Sequence, residues 1–238
     1  MTDLFKEALG NLSGGRVLDL ATGEGGFVEL LAQSLKDYAH IVGADVDGPA
    51  AEVAAARYGQ DSVFFVQMDG ERMGFAAACF DTVAISASLH HLVAIPPVLA
   101  EVRRLLNPDG HFVLAEMHRD AQTAAQHTVI ALHHWIADVA SALGMVHNRT
   151  LSRQELVDHA RSLGLDGVAC YDTPPPVEDP MEESFIRELD AAIDRTLQQV
   201  ADAPDPEPLL RRGETLRERL HQVGAQWEPV VIVVGRKG

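Results

Sequence analysis

The sequence predicts an α/β fold, a doubly wound and mostly parallel sheet with helices on both faces. From residue 16 to residue 117, short runs rich in Val, Ile, Leu and Phe alternate with longer segments whose apolar residues recur every three or four positions. The short runs are typical of buried strands, and the longer segments are typical of amphipathic helices. Strands that alternate with helices form parallel sheets whose crossover helices cover both faces.

Five strands and three helices follow one another in this part of the chain. The strand-like runs occupy residues 16–21, 40–46, 62–68, 80–88 and 110–117. The helical segments occupy residues 27–38, 49–58 and 96–106. Pro96 and Pro97 suit the first turn of the third helix, and "NPDG" at 107–110 is a turn that ends this helix before the next strand.

Beyond residue 120 the sequence becomes mostly helical. One helix is predicted within 128–144, where the following apolar residues share a face: Val129, Leu132, Ile136, Val139 and Leu143. A second is predicted within 151–165, with a capping box from Ser152 to Glu155 and Gly164 placed to end it.

The last part of the chain combines strands, a spacer and two more helices. A strand at 166–172 precedes the stiff, helix-free spacer "TPPPVEDP" at 173–180. Helices at roughly 182–201 and 208–223 are separated by "PDPEP", and their apolar stripes suit packing over the sheet or against a second copy in a homodimer. Because the terminal run at 229–238 is so apolar, we expect it to complete the same sheet.

The composition of the chain disfavours several classes of function and partner. The 19 basic and 35 acidic residues give a net charge of −16, which disfavours nucleic acid and anionic membrane surfaces as partners. The N-terminal residues lack a signal-peptide pattern, and no apolar run approaches the ~18 residues that a membrane helix needs. Cys79 and Cys170 lie far apart, without the spacing of a disulfide framework or a zinc site. We therefore expect a cytoplasmic protein.

A glycine-rich turn follows the first strand, in "VLDLATGEGG" at 17–26. Ligands of open parallel sheets bind at the carboxyl ends of the strands, where this turn lies. A dinucleotide fingerprint would need a third glycine where Val28 stands, and the phosphate-binding G-x-x-x-x-G-K-[ST] pattern is absent. Taken alone, the turn could also contain glycines only because its tight backbone conformation requires them, without binding a ligand.

Two acids follow the next strands. Asp45 ends the second strand about 20 residues beyond the glycines, the distance at which an acid can accept hydrogen bonds from ribose hydroxyls. Asp69 ends the third strand, in "QMDGE". These acids therefore meet the glycine turn at one edge of the predicted sheet.

This ordered set of motifs resembles the class I methyltransferases that use S-adenosylmethionine. Asp19, Gly23 and Gly25 match that family's acid-x-x-x-Gly-x-Gly motif, and the spacing from Asp69 to "CFDTV" matches a later motif. "ISASLHHL" at 85–92 is similar to the loop after the fourth strand, and "LNPDGHFVLAE" is similar to the L-x-P-G-G turn, with Asp109 replacing the first glycine. The resemblance covers about residues 14–118.

The resemblance implies a cofactor, a fold and a site. The cofactor is S-adenosylmethionine, which transfers a methyl group to a small-molecule acceptor. The implied fold is a Rossmann-like, seven-stranded sheet with an antiparallel last strand and a helical lid. The implied cofactor-binding residues are Asp19, Ala21, Gly23, Gly25, Asp45, Val46, Asp69, Gly70 and Ser86. Asp45 would bind the ribose, Asp69 the adenine amino group, and the glycine turn and the backbone near Ser86 the methionine part.

The sequence predicts one domain with three regions. A single domain spans 1–238, with a cofactor-binding core at 1–120, a helical substrate or lid region at 121–225 and a final core strand at 226–238. The missing third glycine agrees with this cofactor, because a sulfonium cation without phosphates needs no phosphate cradle and tolerates acidic surroundings.

The 11 histidines are the first place to look for a general base. His91, beside His90 after the fourth strand, should face the methyl-donor end of the pocket. Glu116 and His118 alternate along the fifth strand and so point to one side. His91 and His118 are the candidate catalytic residues; the alternative is that the histidines of "LHHL" only satisfy backbone groups at a helix start.

A metal is a weaker alternative. His133, His134 and His127 on the helix after residue 120 could join Glu116 and His118 around a divalent ion. Adjacent histidines on a helix point roughly 100° apart, so His133 and His134 cannot both face one ion unaided. We therefore favour a core or interface role for these histidines and predict no metal.

Two other functions remain open at this stage. One is a Rossmann oxidoreductase that uses NAD or a nucleotide sugar. The other is a non-catalytic protein that binds S-adenosylmethionine.

Overall fold

The computed structural model describes residues 2–59 and 61–238, and its centre is a seven-stranded sheet. The strands are β1 (Arg16–Leu20), β2 (His40–Asp45), β3 (Val63–Gln67), β4 (Phe80–Ser86), β5 (Leu106–Met117), β6 (Leu165–Asp172) and β7 (Val230–Lys237). Their order is β3-β2-β1-β4-β5-β7-β6. Pairings among β1 to β5 are parallel, whereas β7 is antiparallel to both β5 and β6. The predicted fold class is confirmed.

Helices cover both faces of this sheet. The helices of the described residues are α1 (Thr2–Leu9), α2 (Gly26–Ser34), α3 (Gly48–Tyr58), α4 (Ile95–Leu105), α5 (Ala124–Ala142), α6 (Arg153–Ser162), α7 (Glu183–Val200) and α8 (Pro206–Val223). One buried cluster joins β1 residue Leu18 to α4 and α6, and another joins β1 residue Val17 to α1 and α2. Adjacent residues of β1 thus enter opposite cores, as the alternation of side chains along a strand requires.

The strand order places a ligand crevice at β1. This strand pairs with β2 on one side and with β4 on the other, so the chain reverses its direction of travel across the sheet here. The crossover connections on the two sides of β1 run in opposite directions across the sheet. They leave a gap between them at the carboxyl ends of β1 and β4. The glycine turn and the loop after β4 border this gap.

Helices α5, α7 and α8 pack on one another around Trp135. The Trp135 ring is fully buried, and its Nε1 donates a hydrogen bond to the Leu209 carbonyl at 2.9 Å. Ile193 of α7 and Leu220 of α8 belong to the same buried cluster. The apolar stripes predicted on α7 and α8 therefore meet α5 within one chain.

Most local signals after residue 120 are confirmed, but several element boundaries along the chain differ from the predicted ones, and α5 begins at Ala124 instead of 128. Ser152 and Glu155 form the predicted capping box, and Gly164 has a φ of +64° just after α6. Helix α8 begins at Pro206, inside the segment expected to separate the helices, because proline at the first position of a helix sacrifices no hydrogen bond. Strand β5 begins at Leu106, and the predicted turn forms an irregular stretch within it, where Asp109 has a φ of +65°.

Within the described residues, no helix combines the length and the apolar character that a bilayer crossing requires.

Candidate active site

Two adjoining cavities open at the carboxyl ends of β1, β2 and β4. Their volumes are about 420 and 490 Å³. They share five lining residues, namely Ala21, Asp45, Val46, His91 and Leu92. We call the combined space the strand-end cavity.

Seven of the nine predicted cofactor-binding residues line the strand-end cavity. They are Ala21, Gly23, Asp45, Val46, Asp69, Gly70 and Ser86. The other two support its wall. Gly25 has a φ of +84°, and a Cβ there would lie 2.9 Å from the Tyr58 ring, so only glycine fits between the turn and α3.

A hydrogen bond joins the glycine turn to β2. The Gly23 N–H donates to Asp45 Oδ2 at 2.7 Å, and the Asp47 N–H donates to Asp45 Oδ1 at 2.9 Å. Asp45 is half-buried, and each carboxylate oxygen keeps accepting capacity toward the cavity. This carboxylate therefore both shapes the turn and borders the space.

Asp19 lies beneath the glycine turn. Its carboxyl is 1% exposed and accepts a hydrogen bond from Thr22 Oγ1 at 2.6 Å. Burial raises the pKa of Asp19 to about 7. Thr22 itself lines the strand-end cavity and was missed by sequence reasoning, since the motif constrains only the acid and the glycines.

Glu116 holds the loop that follows β4. The N–H groups of Ser88 and Leu89 each donate to Glu116 Oε2 at 2.9 Å. Ser88 Oγ donates to the Ser86 carbonyl at 2.6 Å, and Ala87 between them has a φ of +46°. Glu116, 2% exposed, therefore fixes a strained loop at the wall of the strand-end cavity.

Four histidine rings gather beside this loop, and we call them the histidine cluster: His90, His91, His133 and His147. The ring centroids of His90 lie 4.2 Å from His91 and 4.9 Å from His133. His147 has centroid distances of 4.5 Å to His91 and 5.1 Å to His133. The four rings come from the 3-10 helix Leu89–His91, from α5 and from the loop after α5.

Two buried carboxylates border the histidine cluster. His90 Nδ1 faces Glu116 Oε1 at 3.4 Å, and His133 Nδ1 faces Glu228 Oε1 at 3.4 Å. Burial, with neighbouring histidines second, lowers the pKa of His91 and lowers that of His147 to about 4. These two imidazoles are therefore neutral near pH 7 and can accept a proton or a Lewis acid.

The other singled-out histidines lie elsewhere. His118 is buried, its Nδ1 accepts a hydrogen bond from the Asp120 N–H at 3.3 Å, and it does not line the strand-end cavity. His134 Nε2 pairs with Thr150 Oγ1 at 2.8 Å, away from His133's partners. His127 is exposed. The structure thus places His91, and not His118, at a cavity wall.

An apolar cavity of about 430 Å³ lies on the far side of the histidine cluster. Its walls come from β5, α5, α7 and the segment before β7, and its aliphatic lining residues are Met117, Val129, Leu132, Ile136, Leu189 and Val230. His133, His147, Trp227 and Glu228 are the other lining residues. Since His91 lines the strand-end cavity and its ring lies 4.5 Å from His147, the cluster stands between the two spaces.

Comparison with known proteins identifies the part of the chain that builds the strand-end cavity. Residues 18–114 match the family model described as a methyltransferase domain. This part of the chain is therefore similar to a methyltransferase domain. It contains the glycine turn, both strand-end acids and the loop after β4.

Curated relatives match about a hundred residues of this chain. Demethylmenaquinone methyltransferase of Clavibacter sepedonicus is 38% identical over 110 residues, which cover 46% of this chain and 44% of the relative. Phthiotriol/phenolphthiotriol dimycocerosates methyltransferase of Mycobacterium leprae is 33% identical over 107 residues, covering 45% of this chain and 39% of the relative. The matches thus span less than half the length of these curated relatives.

Solved structures share the fold over nearly the whole chain. YcgJ protein of Bacillus subtilis superposes with a TM-score of 0.62 at 19% identity, covering 99% of this chain and 97% of that one. Phosphoethanolamine N-methyltransferase 2 of Haemonchus contortus, solved with S-adenosyl-L-methionine, gives a TM-score of 0.59 at 14% identity, covering 99% of this chain and 52% of that one. The residues outside 18–114 therefore also follow the fold of these proteins.

Proposed function

We propose that this chain transfers a methyl group from S-adenosylmethionine to a small, largely apolar molecule. The observation that carries the proposal is the pair of spaces around the histidine cluster. The strand-end cavity lies on one side of the cluster, and the apolar cavity lies on the other. A donor and an acceptor held in these spaces would meet at the cluster.

The strand-end cavity suits this cofactor in charge. Asp45, Asp69 and Glu71 line it, and its described lining residues include no lysine or arginine. A pyrophosphate would be repelled by these carboxylates, whereas a sulfonium and an ammonium group would be attracted. The cavity therefore favours S-adenosylmethionine over a dinucleotide.

Individual residues would hold the separate parts of the cofactor. Asp45 would accept hydrogen bonds from the ribose hydroxyls, and Asp69 would accept one from the adenine amino group. Gly23 and the backbone near Ser86 would border the methionine part. When bound, the cofactor supplies a methyl group on a positively charged sulfur: an electron pair of the acceptor forms a bond to the methyl carbon, and the sulfur leaves as a neutral thioether.

The chain's own contribution would be positioning and water exclusion. Methyl transfer is an in-line displacement, so holding the acceptor in line supplies much of the rate. His91 borders the strand-end cavity as a neutral imidazole and would orient the acceptor or take its proton. His118 has no comparable position.

The apolar cavity supports a hydrophobic acceptor. Its lining is mostly aliphatic, and His133 and His147 of the histidine cluster are among its few polar lining residues. The two relatives are named for demethylmenaquinone and for phthiotriol/phenolphthiotriol dimycocerosates, which are hydrophobic molecules. We infer an acceptor with an apolar body and one nucleophilic group that reaches the cluster.

Calorimetry with two competing cofactor classes tests the first half of this proposal. We expect saturable heat with S-adenosylhomocysteine and none with NAD at the same concentrations. Binding of NAD without binding of S-adenosylhomocysteine would instead support the oxidoreductase. A cytoplasmic location and a homodimer stay predictions from the sequence.

A further inference from the structure

The histidine cluster contains a set of potential metal ligands. His90, His133 and His147 each offer one ligand atom, and these atoms all lie within 4.8 Å of one another. We propose that these three histidines bind a divalent transition-metal ion of the zinc type, with one coordination position open toward the apolar cavity. This set differs from the one considered on sequence grounds, since it excludes His118 and His134.

The spacing of the nitrogen atoms is close to what such an ion needs. In a tetrahedral site with Zn–N bonds of 2.0–2.1 Å, two ligand nitrogens lie about 3.3 Å apart. His133 Nε2 and His147 Nε2 are 3.1 Å apart. The third histidine, with its ligand atom inside the 4.8 Å limit, needs to approach by no more than about 1.5 Å.

The surrounding carboxylates resemble the outer shell of a metal centre. A metal-bound histidine usually donates the N–H of its other ring nitrogen to a carboxylate or carbonyl, which fixes the tautomer and orients the ring. Here Glu116 faces His90 Nδ1, and Glu228 faces His133 Nδ1, each at 3.4 Å. Both rings therefore have Nε2 left for an ion.

Charge supports the same conclusion. Glu116 and Glu228 have side chains only 2% and 7% exposed, and no lysine or arginine among the described residues pairs with either. Burying carboxylates without a cation is costly. A divalent ion among the histidines would offset both negative charges.

Hydrogen bonds from Asn148 hold two of the ligand-bearing segments together. His147 lies on the loop after α5, and the neighbouring Asn148 N–H donates to the His90 carbonyl at 2.7 Å. Asn148 Nδ2 also donates to the Leu92 carbonyl at 3.0 Å. Two segments that are far apart in sequence are thus fastened beside the cluster, as a preorganised site requires.

A direct hydrogen bond between His133 and His147 is the alternative to a bound metal ion, and it accounts for fewer of these contacts than the ion does. It would satisfy one nitrogen on each of those rings. It leaves His90 Nδ1 and Glu116 Oε1 buried without a hydrogen-bond partner. It also leaves both carboxylates without a cation, although Glu116 still accepts hydrogen bonds from the N–H groups of Ser88 and Leu89.

The open position follows from the number of ligands. Three protein nitrogens leave one tetrahedral position free, as in catalytic zinc sites. Since His133 and His147 both line the apolar cavity, that position is available to an anionic oxygen or sulfur of a molecule held there. The site would then select acceptors that carry such a group.

Metal binding is tested on the full chain without a histidine tag, freed of metal by chelation. We expect Zn²⁺ to bind with one equivalent in calorimetry, and Co²⁺ to give the visible absorption of a tetrahedral site. His147→Ala, on a loop, and His133→Ala should each weaken Zn²⁺ binding at least about 100-fold. His127→Ala, an exposed histidine on the same helix as His133, should bind like the parent.

Three outcomes would overturn the proposal. They are no stoichiometric Zn²⁺ binding by the parent, unchanged binding in both cluster variants that circular dichroism shows to be folded, or an octahedral Co²⁺ spectrum. Sodium azide tests the open position, because it should change the Co²⁺ spectrum; an unchanged spectrum contradicts that position. These measurements need no S-adenosylmethionine, so their failure is separable from failure of methyl transfer.

Discussion

The Asp45 carboxylate accepts a hydrogen bond from the Gly23 N–H, 2.7 Å away, and so joins the end of β2 to the turn after β1. The two groups border the strand-end cavity from neighbouring strands. We expect Asp45→Ala to weaken binding of S-adenosylhomocysteine by about 1.5 to 3 kcal/mol, because charge-assisted hydrogen bonds to ribose are lost. Calorimetry measures the change. Asp202→Ala, an exposed acid far along the chain, serves as control, and equal affinity in both variants contradicts the ribose role.

Glu116 should matter more for the loop after β4 than for proton transfer. Glu116→Ala leaves the buried N–H groups of Ser88 and Leu89 without an acceptor, so we expect the free energy of unfolding to fall by about 2 to 4 kcal/mol. Glu116→Gln keeps an accepting oxygen and should lose less. Urea denaturation compares the three proteins. An alanine variant as stable as the parent would show that the loop does not depend on this carboxylate.

Asp19 predicts a particular pH dependence of stability. With its pKa raised to about 7 in the folded protein, Asp19 keeps its proton where the unfolded chain, with a pKa of 3.8, has lost it. The folded state therefore binds the extra proton, and stability falls as pH rises between these values, by at most about 1.4 kcal/mol per pH unit. Above pH 7 this loss is constant.

Asp19→Asn isolates that contribution. The amide oxygen can still accept the Thr22 hydrogen bond but does not titrate. From pH 4 to pH 7, the parent should lose stability relative to Asp19→Asn in urea denaturation at each pH. Parallel stability curves would mean that the Asp19 pKa is not raised.

His91→Ala separates turnover from cofactor binding. His91 lines the strand-end cavity and contacts His147, whereas the acids that would bind ribose and adenine lie elsewhere on the wall. We expect lower turnover on an identified acceptor and nearly the same affinity for S-adenosylhomocysteine. His118→Ala tests the rival position, and turnover lost only in the His118 variant would reverse the assignment.

Local sequence signals predicted most of the fold and one side of the site. The alternation of apolar runs and helical segments, the capping box at Ser152 and the glycine at 164 depend on neighbours in sequence, and the structure has all of them. The strand-end residues were predictable because parallel strands end at one edge. The acids Asp45 and Asp69 therefore had to lie near the glycine turn.

The opposite side of the site depends on contacts that no local pattern encodes. His147 reaches His90 only because the loop after α5 folds back on the loop after β4. Glu116 lies on β5 and His118 directly after its end, yet neighbouring segments cover both side chains. Glu228 faces His133 across 95 residues of sequence. A spacing rule finds residues on one element, and these partners come from separate elements.

The aspartate of the "CFDTV" motif has a structural role. Asp81 of "CFDTV" accepts hydrogen bonds from the Arg16 backbone N–H and from Arg16 Nε, both at 2.9 Å, at the end of the sheet opposite the strand-end cavity. The Arg16 guanidinium holds the pKa of Asp81 well below its usual range. We expect Asp81→Asn to lower the free energy of unfolding while S-adenosylhomocysteine binding in the folded protein stays the same. Weaker binding by folded protein would give Asp81 a place in the site.

Methyl transfer itself is the most direct test of the central claim. The protein is incubated with S-adenosylmethionine labelled in the methyl group and with a panel of hydrophobic phenols and quinols, and the label in the organic extract is counted. We predict label in at least one product with the parent and strongly reduced label with Asp45→Ala. Tight binding of S-adenosylhomocysteine with no label transferred to any compound, in the panel or in a broad cell extract, would contradict the claim and indicate a non-catalytic cofactor-binding protein.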